Sequence, residues 1–80
     1  MNIKSVESAT LVAIGYDDAR EILQLEFRSH AVYRYFGVPC PVYEALLAAA
    51  SKGRYFNGAI RGHFPHSLAS KTNAGLRGEA

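Results

Sequence analysis

The side chains best suited to chemistry in this sequence of 80 residues are basic, aromatic and amide groups between residues 52 and 63. They are Lys52, Arg54, Tyr55, Asn57, Arg61 and His63. Cations beside flat rings are the combination with which proteins hold a nucleic-acid backbone and stack its bases. An amide such as that of Asn57 adds both donors and acceptors. The segment therefore predicts a nucleic-acid-binding surface, with a solvated basic face over structurally packed rings as the alternative.

Charge is distributed unevenly along the chain. The net charge of +2 is too small to indicate a nucleic-acid partner by itself. Residues 1–44 carry four basic and six acidic side chains, whereas residues 45–80 carry five and one. An asymmetry of this kind is associated with anionic partners.

The nucleophilic and metal-binding side chains are few. Cys40 lies just before a predicted helix, where a thiol pKa can fall, but no partner among His30, His63 and His66 has a recognisable catalytic spacing. A structural zinc site usually needs four ligands in paired spacings, and only His63 and His66 are close in sequence. The sequence therefore predicts a protein that is not an enzyme and that uses no metal or cofactor.

Length and composition are those of one small globular domain. Hydrophobic residues make up 49% of the chain, and the lone cysteine cannot form a disulfide within it. A core of this size is marginal, so a homodimer is plausible. The first residues lack the apolar segment of a secretory signal, and the apolar run at residues 45–50 is too short to span a membrane. We expect a cytoplasmic protein without membrane contact.

Alternating hydrophobic residues predict a sheet of three antiparallel strands. The strands cover residues 10–16, 22–28 and about 32–36. Whether the first nine residues form a fourth strand is left open. Val12, Ile14 and Tyr16 share the inner face of the first strand, and Leu23, Leu25 and Phe27 point inward from the second.

The register of the second hairpin decides what the tyrosines of the third strand face. A two-residue loop at residues 29–30 needs positive φ at both positions, whereas a three-residue loop at residues 28–30 needs it only at His30. The longer loop pairs Tyr33 and Tyr35 with the inward leucines of the second strand. We therefore predict that both tyrosines are mainly core residues.

One or two helices are predicted on one face of this meander. The first covers residues 41–51 and stops at Gly53 in a left-handed conformation. A shorter one, at about residues 55–63, turns Phe56 and Ile60 inward. The architecture is thus α+β, with a domain at residues 1–66 and a flexible tail at residues 67–80.

Five ordered motifs resemble those of one known family. They are IGYD at 14–17, YRY at 33–35, VP at 38–39, VYEALLAA at 42–49 and SKGRYFNGAIRG at 51–62. Together they closely resemble the KTSC domain, which extends the C-terminus of certain lysyl-tRNA synthetases and also occurs alone as a small bacterial or phage protein. Its members usually have Gly where this chain has His30. The resemblance implies no established activity, and it suggests RNA binding only through the synthetase context.

Two hypotheses follow. The first is a non-enzymatic domain that binds RNA through Lys52, Arg54, Arg61 and Tyr55. The second is a protein-interaction or homodimerising domain that does not bind nucleic acid. If Tyr33 and Tyr35 of the YxY motif are core residues, the motif marks the fold rather than a ligand site, and any RNA contact must come from the basic helical end; if they are not, they are themselves contact residues.

Overall fold

Five antiparallel strands form one sheet in the order of the sequence in this computed structural model, which describes residues 1–71. The strands are β1 (Asn2–Ser5), β2 (Leu11–Asp17), β3 (Ile22–Phe27), β4 (Ala31–Phe36) and β5 (His66–Lys71). The helices are α1 (Cys40–Ala48) and α2 (Lys52–Tyr55), and α2 continues directly into a π-helical turn (Phe56–Ile60). The α+β class is confirmed, but the sheet is larger than the predicted three or four strands.

The two additional strands are the edges of the sheet. β1, the strand that the sequence left open, pairs with β2, and β5 pairs with β4. β5 includes the beginning of the segment at 67–80 for which a flexible tail is predicted. Residues 72–80 lie outside the described residues, so the division of the chain at residue 66 stays a prediction.

The predicted register of the β3–β4 hairpin is confirmed. Leu25 lies opposite Tyr33 and Leu23 opposite Tyr35. The three-residue loop has its positive φ at His30, at 73°. The hydrophobic pattern therefore fixed which face the tyrosines occupy, because a shift by one residue would exchange the faces.

A β-bulge changes the predicted inner face of β2. Leu11 lies opposite Phe27, but the next pair joins Ala13 to Glu26, so Val12 is the extra residue. Leu11 rather than Val12 is buried in the core as a result. The prediction for Val12 is wrong because strict alternation does not anticipate an inserted residue.

The helical region also differs from its predicted bounds. The first helix ends at Ala48, and a new one begins at the N-cap Ser51, whose hydroxyl accepts the main-chain N–H of Arg54 at 3.3 Å. Gly53 lies inside α2, so its prediction as a left-handed helix stop is wrong. What requires a glycine there is crowding, since a Cβ atom on Gly53 would overlap the side chain of Thr10.

Both helical segments pack on the inner face of the sheet. Tyr43 of α1 stacks on Tyr16 of β2, with ring centroids 4.5 Å apart. The ring of Phe56, in the π-helical turn, meets Tyr35 edge-on at 5.6 Å. The π-helical turn therefore takes part in covering Tyr35. Phe56 and Ile60 point inward as predicted.

Candidate nucleic-acid interface

A cleft of about 490 Å³ opens between the inner face of the sheet at β4 and β5 and the end of the π-helical turn. The register places the side chains on its floor. Tyr35 pairs with His66 and Tyr33 pairs with Leu68, so all four side chains project from the same face of the sheet. The strand β5 thus extends the hydrophobic face beyond the part that the helices cover.

Five rings form a closed circuit around the cleft. Phe27 meets Tyr33 at a centroid distance of 5.9 Å, and Tyr33 meets His66 at 5.7 Å. His66 is stacked on Tyr35 at 5.2 Å with 25° between the ring planes. Tyr35 then meets Phe56 at 5.6 Å, and Phe56 meets Phe27 at 5.3 Å. These distances and the mostly edge-to-face orientations are those that aromatic pairs prefer.

Burial decreases along this circuit toward the edge of the sheet. Tyr35 is 4% exposed and Phe56 is 6% exposed, so both are core residues. Tyr33 is half-buried, His66 is exposed, and Leu68 is 53% exposed. The predicted core position is thus confirmed for Tyr35, whereas part of Tyr33 stays open to solvent.

Arg61 lies at the rim of the cleft because of the π-helical turn. Its main-chain N–H bonds the carbonyl oxygen of Phe56 at 2.8 Å, and Gly62, with a φ of 80°, then turns the chain away. Isolated π-helical turns are often found at functional sites. Within residues 1–71, the guanidinium of Arg61 forms no ion pair.

These surroundings shift the pKa of the Tyr35 hydroxyl. Burial raises its pKa above the ordinary value, the nearby Tyr33 adds to the rise, and the charge of Arg61 opposes it. The phenol is therefore neutral at physiological pH and is able to donate a hydrogen bond.

The six predicted nucleic-acid-binding residues do not form a single site. Arg54, Asn57, Arg61 and His63 are exposed, whereas Tyr55 is half-buried and packs against the core. The amine of Lys52 donates to the carbonyl oxygen of Ala49 at 3.1 Å. Lys52 also lines a separate pocket of about 300 Å³ beside Ser8 and Thr10. Of the six, Arg61 lines the aromatic cleft.

Sequence reasoning missed most of the cleft. Phe27 and Tyr33 were assigned to the core, His66 was considered only for catalysis or metal binding, and Leu68 was placed in the tail. The available signal was the alternation of His66 and Leu68 with small residues. That signal is too short to distinguish an edge strand from a polar tail.

The environment of Cys40 is unlike that of a reactive cysteine. Burial raises the pKa of its thiol, and the carboxylate of Glu44 raises it further. The thiol donates to Glu44 at an Sγ–Oε2 distance of 3.7 Å. The helix N-terminus does not lower the pKa here, because a desolvated thiol beside a negative charge is harder to ionise.

Two kinds of structural feature are absent from residues 1–71. In this part of the chain no three His, Cys, Asp or Glu side chains are close enough together to hold a metal ion. The helices found there are also too short or too polar to cross a bilayer.

Comparison with known proteins identifies similar chains of two kinds. The sequence profile of the KTSC domain matches residues 7–64. A protein from Tsukamurella paurometabola is 45% identical over 62 residues, which are 78% of this chain and 92% of that protein. A lysine–tRNA ligase from a Nostoc species is 41% identical over 64 residues, which are 80% of this chain but 11% of the ligase.

A solved structure agrees with the fold. The crystal structure of a KTSC domain protein from Yersinia pestis superposes with a TM-score of 0.84 at 35% sequence identity. The match covers 86% of this chain and 97% of that one.

Proposed function

The chain belongs to the KTSC domain family, and from this premise we propose that it is a non-enzymatic domain that binds RNA through the basic end of its second helical segment. We define this basic end as the four exposed side chains Arg54, Asn57, Arg61 and His63.

The exposure of these side chains is the observation that carries the proposal. Arg54 and Arg61 form no ion pair with any residue from 1 to 71, and the sequence has no acidic residue between positions 45 and 78. Their positive charge is therefore available to phosphate groups, which supply most of the affinity in sequence-independent binding. Asn57 and His63 add hydrogen-bonding groups beside the two guanidinium groups.

The relatives support an RNA partner. Similar domains form 11% of lysine–tRNA ligases from Nostoc and Trichormus variabilis. Those enzymes act on tRNA, and a domain that contacts phosphate groups would strengthen their hold on it. The same contact with phosphates would allow this chain to bind RNA without the ligase.

A double substitution tests the proposal against a matched control. Arg54→Gln with Arg61→Gln removes two charges from the basic end, and Lys4→Gln with Arg20→Gln removes two exposed charges from β1 and the β2–β3 turn. We expect the first pair alone to weaken binding of single-stranded RNA, measured by fluorescence anisotropy over a range of salt concentrations. The slope of log K against log salt should fall by about 1.4, because each phosphate contact on a single strand contributes about 0.7. Equal losses in the two doubles would refute the basic end as the contact surface.

A protein-interaction or homodimerising domain is the second candidate. It is favoured by apolar side chains exposed at the two edge strands, Ile3 at 58% and Leu68 at 53%. Unpaired strand edges readily accept another strand. Sedimentation would then show a dimer, or a co-purifying protein would persist after nuclease treatment. A monomer that binds RNA would exclude this candidate in its homodimeric form.

A further inference from the structure

We infer that the aromatic cleft is a binding site for one unpaired nucleotide of a single strand, with the base against the exposed rings and a flanking phosphate on Arg61. This inference rests on the proposed RNA-binding function and assigns a second contact region to it.

The cleft has the size and lining of a ligand site. Its volume of about 490 Å³ lies within the range of roughly 300–1,000 Å³ that is typical of small-molecule pockets. Five rings line it, and three of them remain accessible from solvent, since Phe27 and Tyr33 are half-buried and His66 is exposed. Flat side chains of this kind stack on any base, because every base has a π face.

The exposed part of the cleft favours a flat, largely apolar occupant. Leu68 lies on the same face as Tyr33 and is 53% exposed. A base inserted there would remove Leu68 and the edge of Tyr33 from water. A duplex cannot fill the cleft in this way, because its bases are already stacked and paired.

The charge on the cleft lining favours a nucleotide over an apolar peptide as the occupant. Arg61 carries the only formal charge on the lining that the structure describes, and no carboxylate lies there. The hydroxyls of Tyr33 and Tyr35 add donors for phosphate or base oxygens. A positive charge beside stacked rings matches the negative phosphate that accompanies every base.

The position of Arg61 connects the two contact regions. It belongs to the basic end and also lines the cleft, so a strand that lies along the basic end reaches the cleft at this residue. The base attached to the phosphate on Arg61 is then the one placed to turn inward.

The test compares two RNA octanucleotides that differ only in their bases. One is a normal single strand, and the other has abasic sites at every position and keeps all of its phosphates. We expect the full chain to bind the normal strand roughly tenfold more tightly, as is typical of one stacked base. Equal affinities would overturn the inference and leave the phosphate contacts of the basic end intact.

Two variants locate the effect in the cleft. Leu68→Glu adds a negative charge at the cleft, and Ile3→Glu makes the same change at a comparably exposed residue of the opposite edge strand. Of these two variants, Leu68→Glu should remove the preference for the normal strand, and Ile3→Glu should keep it. Tyr33→Leu should remove it as well, since it keeps apolar bulk and loses the ring. Preference retained in both cleft variants would contradict the site.

The remaining outcomes are also decisive. If the protein binds neither RNA at low salt, the proposed function fails, and millimolar AMP then tests the cleft by NMR. Shifts confined to Tyr33, His66 and their neighbours would support a nucleotide site, and their absence would overturn it. A wild-type dimer that Leu68→Glu converts to a monomer would show instead that a second copy covers the cleft.

Discussion

Replacing Tyr16 with Phe should destabilise the domain through one buried hydrogen bond. The hydroxyl of Tyr16 donates to the carbonyl oxygen of Val38 at 2.6 Å, and both residues are buried. This bond ties β2 to the segment that leads into α1. The substitution keeps the aromatic ring, so the stack on Tyr43 should persist.

The expected magnitude follows from what remains after the hydroxyl is removed. The carbonyl oxygen of Val38 would lose a partner in a region closed to water, which costs about 1–3 kcal/mol. A domain of this size has a free energy of unfolding of roughly 4–12 kcal/mol. The change is therefore a substantial part of the total. With a urea m-value of about 1 kcal/mol/M, the midpoint should fall by roughly 1–3 M.

Urea unfolding followed by circular dichroism measures this change, and Tyr43→Phe provides the control. Tyr43 contributes the other ring of the stack, but its hydroxyl has no hydrogen-bond partner within residues 1–71. We expect Tyr43→Phe to change the free energy of unfolding by less than about 0.5 kcal/mol. Equal effects in the two variants would show that the bond to Val38 does not stabilise the fold.

Ionisation of the same hydroxyl should destabilise the fold at alkaline pH. Burial raises the pKa of Tyr16 above its ordinary value of 10.0, and the nearby charges, of which Cys40 is the largest contributor, raise it further. The unfolded chain therefore releases the phenol proton at lower pH than the folded chain does. The contribution to stability is complete below pH 10 and is lost as the pH rises toward the folded pKa. Tyr16→Phe should flatten this decline, and an unchanged pH profile would contradict the assignment.

Three other substitution or labelling experiments probe local features. Gly53→Ala should destabilise the domain by about 1–3 kcal/mol in thermal unfolding, because the added Cβ overlaps Thr10. Gly58→Ala, whose Cβ meets open space, should be neutral or stabilising. Similar melting temperatures for the two variants would contradict the crowding at Gly53. His30→Gly should stabilise by up to about 1 kcal/mol because the φ of 73° strains a side chain, and His30→Ala should give little or no gain. Iodoacetamide should modify Cys40 slowly at neutral pH and faster only above pH 9, since its thiol pKa is raised from 9.0; rapid labelling at pH 7 would refute a protected thiol.

The sequence predicted the centre of the sheet better than its edges. In β3, apolar and polar residues alternate, and this pattern fixed the pairing of Leu23 and Leu25 with the tyrosines. β1 is exposed along its whole length, so it carries no such pattern. β5 forms a strand although most of its side chains are small or polar, because the free edge of β4 supplies hydrogen-bonding partners. Such pairing depends on tertiary structure and not on local preference.

The prediction of the binding site was limited in the same way, because tertiary structure decides where its residues lie. The basic residues were found because their charge is visible in the sequence, and Arg54 and Arg61 are exposed as a contact surface requires. The position of Lys52 was not predictable, since its bond to Ala49 depends on where α1 ends. The aromatic cleft needs β5 as one of its walls, so it could not be anticipated once that strand had been assigned to a tail.

The unequal widths of the helical layer and the sheet explain why the cleft lies at the edge strand β5. β2 is almost entirely buried beneath the helices, whereas the described side chains of β5 are exposed. The helical layer is thus narrower than the sheet and leaves an edge uncovered on its inner face. At the opposite edge, Met1 and Ile3 lie over Gly15 on the outer face, away from the helices. Among residues 1–71, the β5 edge therefore combines uncovered rings with a cation from the helical layer, which is the combination that we propose for holding a nucleotide.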